Sequence, residues 1–321
     1  MDIVLLFPGQ GSQTPGMGRE LAEAFPEAAA AFHAVDEALG VALSTLAFEG
    51  PADQLTLTQN AQPALLAHGA AAWAVTRSRL APFVRAAAGH SLGEFTAYHA
   101  AGALSIADAA RLVRRRGELM FEAGSQRPGA MAALLGDLPE EPLRALCARA
   151  TAEAGLVAPA NFNAPGQTVI SGEVRGVERA MELAKEAGVR RVVRLGVSGA
   201  FHSALMAPAA AGLAGALERV AFGAVDFPVY ANVNAEPVES DAVARRLLLE
   251  QLTAPVRWTD VIGRLAARFP SALFVEMGPG TVLGGLLKKI APGIAAASCG
   301  TAADVERLVA RVPPAPAAAP V

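Results

Sequence analysis

The stretch that most constrains this chain is Gly89-His90-Ser91-Leu92-Gly93. Residues 83–88 before it are apolar except for Arg85 and read as a buried strand. Residues 94–101 after it contain neither Gly nor Pro and lead to Gly102, which suits a helix C-cap. A serine is therefore expected on a sharp strand-to-helix turn. Glycines two residues to either side permit the bend and the close packing, so that Ser91 Oγ stands clear and the Leu92 N–H points at whatever the hydroxyl attacks. The positive end of the following helix favours negative charge developing there. Five residues recur by chance, and a glycine-bounded turn with a capping serine has the same spelling. The strand before and the helix after favour a nucleophile elbow, and with it acyl transfer through an acyl-serine ester.

A chain of 321 residues can bury a large core, as one big domain or two smaller ones. With 53% hydrophobic and 18% charged residues it is not a disordered segment. A net charge of -3 gives no bulk attraction to nucleic acid or an anionic membrane, and neither is expected as a partner. Cys147 and Cys299 make neither a disulfide framework nor a zinc spacing, so both read as small core residues and no metal is expected. The first eight residues have no basic segment and too short an apolar run for a signal peptide, so a cytoplasmic enzyme is the expectation. Residues 54–76 lack charge, but their most apolar part, 64–75, is about half of what a bilayer requires and reads as a buried helix.

Along the chain, residues 3–7 read as a first buried strand running into Pro8-Gly9-Gln10-Gly11-Ser12-Gln13. Such a loop can present backbone N–H groups to an anion, although it lacks the Lys and third Gly of a phosphate cradle. Helices are expected at 18–39 and 63–80. The next, at 105–123, opens with a Ser105 and Asp108 capping box. Its helical phase gathers Leu112, Val113, Leu119 and Met120 on one face, with Arg111, Arg114, Arg115 and Glu118 on the other as a solvated charged face. Arg116 falls in the middle of the apolar face. A buried guanidinium cannot shed its proton and needs an anion, which periodicity leaves open between a protein and a substrate carboxylate.

Strands at 130–135, 156–161, 168–171 and 189–195 alternate with helices at 140–154 and 175–187 in the β-α-β-β-α-β order of ferredoxin-like folds. The expected architecture is α/β: a hydrolase-like parallel-sheet core from residues 1–125 and 197–312, an inserted ferredoxin-like small domain at 126–196, and a flexible tail at 313–321. A ligand belongs in the cleft between the two units. Later strands are expected at 229–232, 273–276 and 295–298, with helices at 204–218, 241–252, 259–267, 282–290 and 303–311. Of five histidines, His33, His68 and His99 fall in helical segments as packing residues, and His90 lies in the elbow with its ring turned from Ser91. His202, on a loop entering a helix, is the best-placed base. A helix N-terminus disfavours the imidazolium, so it should be neutral, although a helix-capping histidine would have the same position. No Asp or Glu stands out as a third member.

Taken together, Phe7-Pro8-Gly9-Gln10-Gly11-Ser12-Gln13, Gly89-His90-Ser91-Leu92-Gly93-Glu94, Arg116-Gly117, Ala160-Asn161-Phe162-Asn163, Ala200-Phe201-His202-Ser203 and Glu276-Met277-Gly278-Pro279-Gly280 resemble the malonyl-CoA:acyl-carrier-protein transacylases. The resemblance runs from residue 3 to about 311 and implies the same fold. It implies Ser91 as acyl-accepting nucleophile and His202 as its base, oriented by the main-chain carbonyl of Gln251. Backbone N–H groups of Gln10 and Leu92 would form the oxyanion hole, Arg116 would hold the malonyl carboxylate, and Phe201, Asn161 and Asn163 would line the substrate. No bound cofactor is implied. The substrate is malonyl-CoA, a CoA thioester, and the acceptor is the phosphopantetheine of an acyl carrier protein, with the enzyme acting as a monomer. Arg114, Arg115, Arg190 and Arg191 are candidates for meeting the acidic carrier. Phe201 departs from the serine common in free-standing members and resembles malonyl-selecting domains of polyketide synthases, which leaves fatty acid and polyketide pathways both open. An acyl hydrolase on the same elbow is the nearest rival.

Overall fold

The computed structural model describes residues 1–197, 199–238 and 240–314. Residues 315–321 of the expected tail lie outside the described residues. Nine strands occur among the described residues: β1 (Ile3–Phe7), β2 (Val84–Gly89), β3 (Gly129–Leu135), β4 (Val157–Ala164), β5 (Gln167–Glu173), β6 (Arg191–Arg194), β7 (Val229–Tyr230), β8 (Leu273–Met277) and β9 (Ala295–Cys299). They form a five-stranded sheet in the order β7-β2-β1-β8-β9 and a four-stranded sheet in the order β4-β5-β3-β6. Every pairing in the first is parallel and every pairing in the second antiparallel. The expected α/β fold, with a parallel core and a β-α-β-β-α-β segment, is the fold observed.

β1 is buried along its length. Ile3, Leu5 and Phe7 enter one core cluster, while Val4 and Leu6 enter another with Trp258, Ile262 and Leu287. An unbroken apolar run suits this central place, because a parallel strand must bury both of its faces. The strand order sets the carboxyl ends of β1 and β2 side by side, Phe7 opposite Gly89. Their loops are packed on each other: the His90 N–H donates to Phe7 O at 2.9 Å, and a Cβ on Gly9 would lie 2.6 Å from His90 O. The small sheet reaches the same edge through β4, whose Phe162 N–H donates to Val256 O at 2.9 Å while Val256 N–H donates to Ala160 O at 2.8 Å.

Several expected elements differ in detail. The helix expected at 18–39 is two, Arg19–Ala24 and Pro26–Leu39. Pro26 pushes Phe25 into extended backbone, φ -131 and ψ 119, which ends the first helix. The short helices Leu43–Glu49 and Ala52–Thr56 have no counterpart in the expectation. The helix expected to start at Pro63 starts at Thr58 and carries Pro63 inside it. The Gln59 carbonyl that Pro63 cannot engage accepts instead from Arg114 Nη1 at 3.0 Å, and Arg114 also donates to Asn60 Oδ1 at 2.7 Å. Arg114 is thus a partly covered brace between two helices rather than a freely solvated charge. At Ile106–Gln126 only half of the capping box forms, because the Asp108 carboxylate takes the Ser105 hydroxyl instead of the Ser105 N–H. The segment after His202 opens as a short 3-10 turn, Ala204–Met206, before the helix Ala207–Arg219.

Gly89 and Gly93 set how closely the elbow can fold. A Cβ on Gly89 would overlap the Gly93 carbonyl, and one on Gly93 would overlap Phe7 O. Both neighbours are backbone and cannot swing aside. Gly89→Ala and Gly93→Ala are each expected to lower folding stability by about 3 kcal/mol, read from urea midpoints; unchanged midpoints would show that the elbow can open at no cost.

Candidate active site

Ser91 stands on the turn between β2 and the helix Gly93–Ala100, with φ 51, in the left-handed region that a side chain adopts only at a cost. Its N–H donates to Asn232 Oδ1 at 2.7 Å. Its Oγ lies 2.9 Å from His202 Nε2. His202 is also left-handed, φ 56, and its Nδ1 lies 2.8 Å from Gln251 O. Gln251 caps the C-terminus of the helix Asp241–Glu250, so its carbonyl belongs to the unsatisfied, negative end of that helix. With Nδ1–H donating to that carbonyl, Nε2 is left bare to accept from the hydroxyl.

His202 is 5% exposed, and burial holds its imidazole down to about 3, with the Arg116 charge as the second cause. The expected neutrality is present, with burial as its first cause and the neighbouring cation as its second. The His90 ring turns to Asn163 Oδ1, at 2.8 Å from Nε2, as expected for a histidine facing away from Ser91.

Arg116 is 1% exposed. Its Nη1 donates to Gln62 Oε1 at 2.7 Å, and its Nη2 to Ser91 Oγ at 3.0 Å and Gln251 Oε1 at 2.9 Å. Burial lowers it to about 10, opposed by the Glu94 carboxylate, so it is a cation at neutral pH. Among the described residues no protein carboxylate touches it; two amide oxygens do. Glu94 is reached one step away, where Gln251 Nε2 donates to Glu94 Oε2 at 2.7 Å. Glu94 is fully buried, and that burial raises its carboxyl to about 7 against hydrogen bonds from the Asn232 N–H and Gln251 and the charge of Arg116.

A cavity of about 390 Å3 opens at this point. Gln10, Ser91, Leu92, Arg116, Asn161, Asn163, Phe201 and His202 all line it, so eight of the nine expected site residues share one space and Gln251 stands behind it. Among the described residues no group engages the Gln10 or Leu92 N–H. Asn232, Glu94, Gln62 and Thr58 were missed as site residues. Asn232 ends a predicted parallel strand at the sheet's carboxyl edge, where ligands of α/β folds collect, and that signal could have found it. A hydroxyl, a neutral imidazole and two residues with unengaged N–H groups, all lining one mostly apolar cavity, suit attack on an acyl carbonyl.

The sequence model of the acyl transferase domain matches residues 4–305. The chain belongs to the acyl transferase family. This acyl transferase is 49% identical over 289 residues to the malonyl CoA-acyl carrier protein transacylase of Bacillus subtilis strain 168, covering 90% of each chain. It is 42% identical over 293 residues to the protein of that name from Escherichia coli K12, covering 91% of this chain and 94% of the other. Among solved structures, it resembles the acyl-carrier-protein-S-malonyltransferase of Bartonella henselae at TM-score 0.91 and 44% identity, covering 97% and 100% of the two chains. A malonyl-transacylase solved in complex with a type II polyketide acyl-carrier protein matches at TM-score 0.92 and 40% identity, with the same coverage. Among the described residues no helix is long and apolar enough to cross a membrane.

A base held down to about 3 must remain able to accept a proton as pH falls through 6.5. The initial rate of Ser91 acylation by acetyl-CoA, which has no carboxylate to engage Arg116, is expected to show no acid limb centred on 6.5. Mass spectrometry of the quenched protein between pH 5 and 8 checks this, in the wild type and in Glu94→Gln because Glu94 itself is raised to about 7 beside Gln251; a midpoint at 6.5 that persists in Glu94→Gln would mean that His202 is solvated when it works.

Proposed function

We propose that this acyl transferase moves the malonyl group of malonyl-CoA to the phosphopantetheine thiol of an acyl carrier protein through a malonyl-Ser91 ester. Ser91 Oγ attacks the thioester carbonyl while its proton passes to His202 Nε2. The carbonyl oxygen, now negative, accepts from the Gln10 and Leu92 N–H groups, each such donor contributing roughly 3 kcal/mol. The C–S bond then breaks, and His202 returns the proton to the departing CoA sulfur. In the second half the carrier thiol gives its proton to His202 and attacks the ester, and Ser91 leaves as the hydroxyl. No cofactor enters either half.

The observation that carries this reading is Arg116, a buried cation whose Nη2 lies 3.0 Å from the nucleophile oxygen. An acyl chain joined to Ser91 and ending in a carboxylate could exchange the amide contacts for a bidentate, charge-assisted pair. A hydrolase of uncharged acyl groups has no use for such a group. Burial of the ester in a mostly apolar cavity would keep water from hydrolysing it. Asn161 and Asn163 are read as contacts to the substrate's polar stem, and Arg114, Arg115 and the exposed Arg190 and Arg191 as contacts to the carrier. The small unit at 126–196 is read as an insertion between 1–125 and 197–312. The enzyme is read as a cytoplasmic monomer supplying fatty acid synthesis. The Phe201 ring, buried on the cavity wall, supports malonyl over methylmalonyl and keeps a polyketide pathway as the second reading.

Intact-mass measurement after mixing with malonyl-CoA should show one malonyl adduct, on Ser91, and none in Ser91→Ala. Arg116→Ala is expected to lose malonyl transfer by roughly a hundredfold while acetyl transfer is kept or rises; equal loss of both would assign Arg116 a purely structural part. Phe201→Ser should raise methylmalonyl over malonyl transfer about tenfold, measured in competition, and an unchanged ratio would remove the argument from the ring.

A further inference from the structure

One series of side chains joins Arg116 to Gln10 through two residues given no part in the reaction above. Thr58 opens the helix Thr58–Leu80 and Gln62 follows one turn later, both buried. Gln62 Oε1 accepts from Arg116 Nη1 at 2.7 Å, Gln62 Nε2 donates to Thr58 Oγ1 at 3.0 Å, and Thr58 Oγ1 donates to Gln10 Oε1 at 2.8 Å. The direction of the series is decided at Arg116. A guanidinium has only donors, so Gln62 must show it the carbonyl and turn the NH2 toward Thr58. A hydroxyl that accepts on one side then has its single proton for Gln10.

The series ends in the loop after β1, where Gln10 lines the cavity. Two other contacts brace this loop, the Gly11 N–H to Gln13 Oε1 at 2.7 Å and the close approach of Gly9 to His90 O. Gln10 itself is only half-buried, and its side chain is tied down by Thr58. A donor that must meet a developing oxyanion works only if its direction is set beforehand.

We propose that Thr58 is a positioning residue for acyl transfer: its hydroxyl holds the Gln10 side chain, sets the Gln10 N–H for the thioester oxygen, and ties that loop to Arg116. The proposal rests on the oxyanion role given to Gln10 above.

Two near-isosteric variants separate the hydroxyl from packing. Thr58→Val keeps the branched shape without the hydroxyl; Thr58→Ser keeps the hydroxyl without the methyl. Single-turnover acylation by malonyl-CoA and by acetyl-CoA, followed by intact mass, is expected to slow about tenfold in Thr58→Val at saturating donor, equally for both donors and with little change in half-saturating concentration. Thr58→Ser should keep most of the rate. Gln10→Ala, at a less buried position, tests the same link from its other end and should show the same loss, with Thr58→Val costing nothing further in that background. A wild-type rate in Thr58→Val or in Gln10→Ala, a loss in Thr58→Ser as large as in Thr58→Val, or additive losses would overturn the proposal while leaving acyl transfer intact. A wild-type protein that forms no adduct with either donor would overturn acyl transfer itself, and the proposal with it.

Discussion

The structure around the site depends on holding one cation out of water. A guanidinium that is 1% exposed has lost most of its hydration and must be repaid by contacts of fixed geometry. Arg116 receives oxygens from Gln62, Gln251 and Ser91, and the face of Phe95 lies 5.8 Å from its Cζ. The nearest carboxyl in the network, Glu94, raised to about 7 and so only partly ionised, is kept one amide away. Distance matters here, because a carboxylate in direct contact would occupy the donors that an acyl carboxylate is proposed to take. A neutral amide between the two holds the guanidinium in place while leaving it exchangeable.

The same few residues also hold the strained backbone. Ser91 and His202 both sit in the left-handed region, at a cost of order 1–3 kcal/mol each, and such conformations persist only where the surroundings impose them. Asn232 accepts from the Ser91 N–H and donates through Nδ2 to Gly89 O at 2.7 Å, which clasps the elbow from both sides. Gln251 Nε2 donates to Ser91 O at 3.1 Å while its main-chain carbonyl orients His202. Removing the Gln251 amide would loosen nucleophile and guanidinium together, and removing that of Asn232 would loosen the nucleophile's turn.

What could be read from the sequence follows from range. The parallel core, the elbow and the antiparallel sheet rest on runs of a few residues, and each run states its own periodicity. Arg116 was legible because a helix reports its buried face within two turns. Glu94 lies in the quoted elbow motif, but its burial beneath Gln251 spans 157 positions and leaves no local trace. The break at Phe25 is a local proline effect that an unbroken apolar pattern concealed. Pro63 misled in the opposite way: a proline reads as a helix start, yet here the helix runs through it because Arg114, on another helix, takes the freed carbonyl.

Among the described residues no carboxylate orients the base, and the site's charge gives the reason. An ionised Asp or Glu on His202 Nδ1 would stabilise the imidazolium and raise its pKa, adding to the pull on the Ser91 proton. It would also set a second negative charge beside a cavity proposed to admit an anionic acyl chain, and it would compete for Arg116. A helix-end carbonyl fixes the same tautomer and carries only a fraction of a charge. Glu94, whose carboxyl is raised to about 7, supplies only part of the balancing negative charge from beneath the elbow, where the Asn232 N–H and Gln251 Nε2 donate to its Oε2. Orientation of the base and compensation of the cation are thereby separated, and the Arg116 donors meet only neutral oxygens where the acyl carboxylate is proposed to lie.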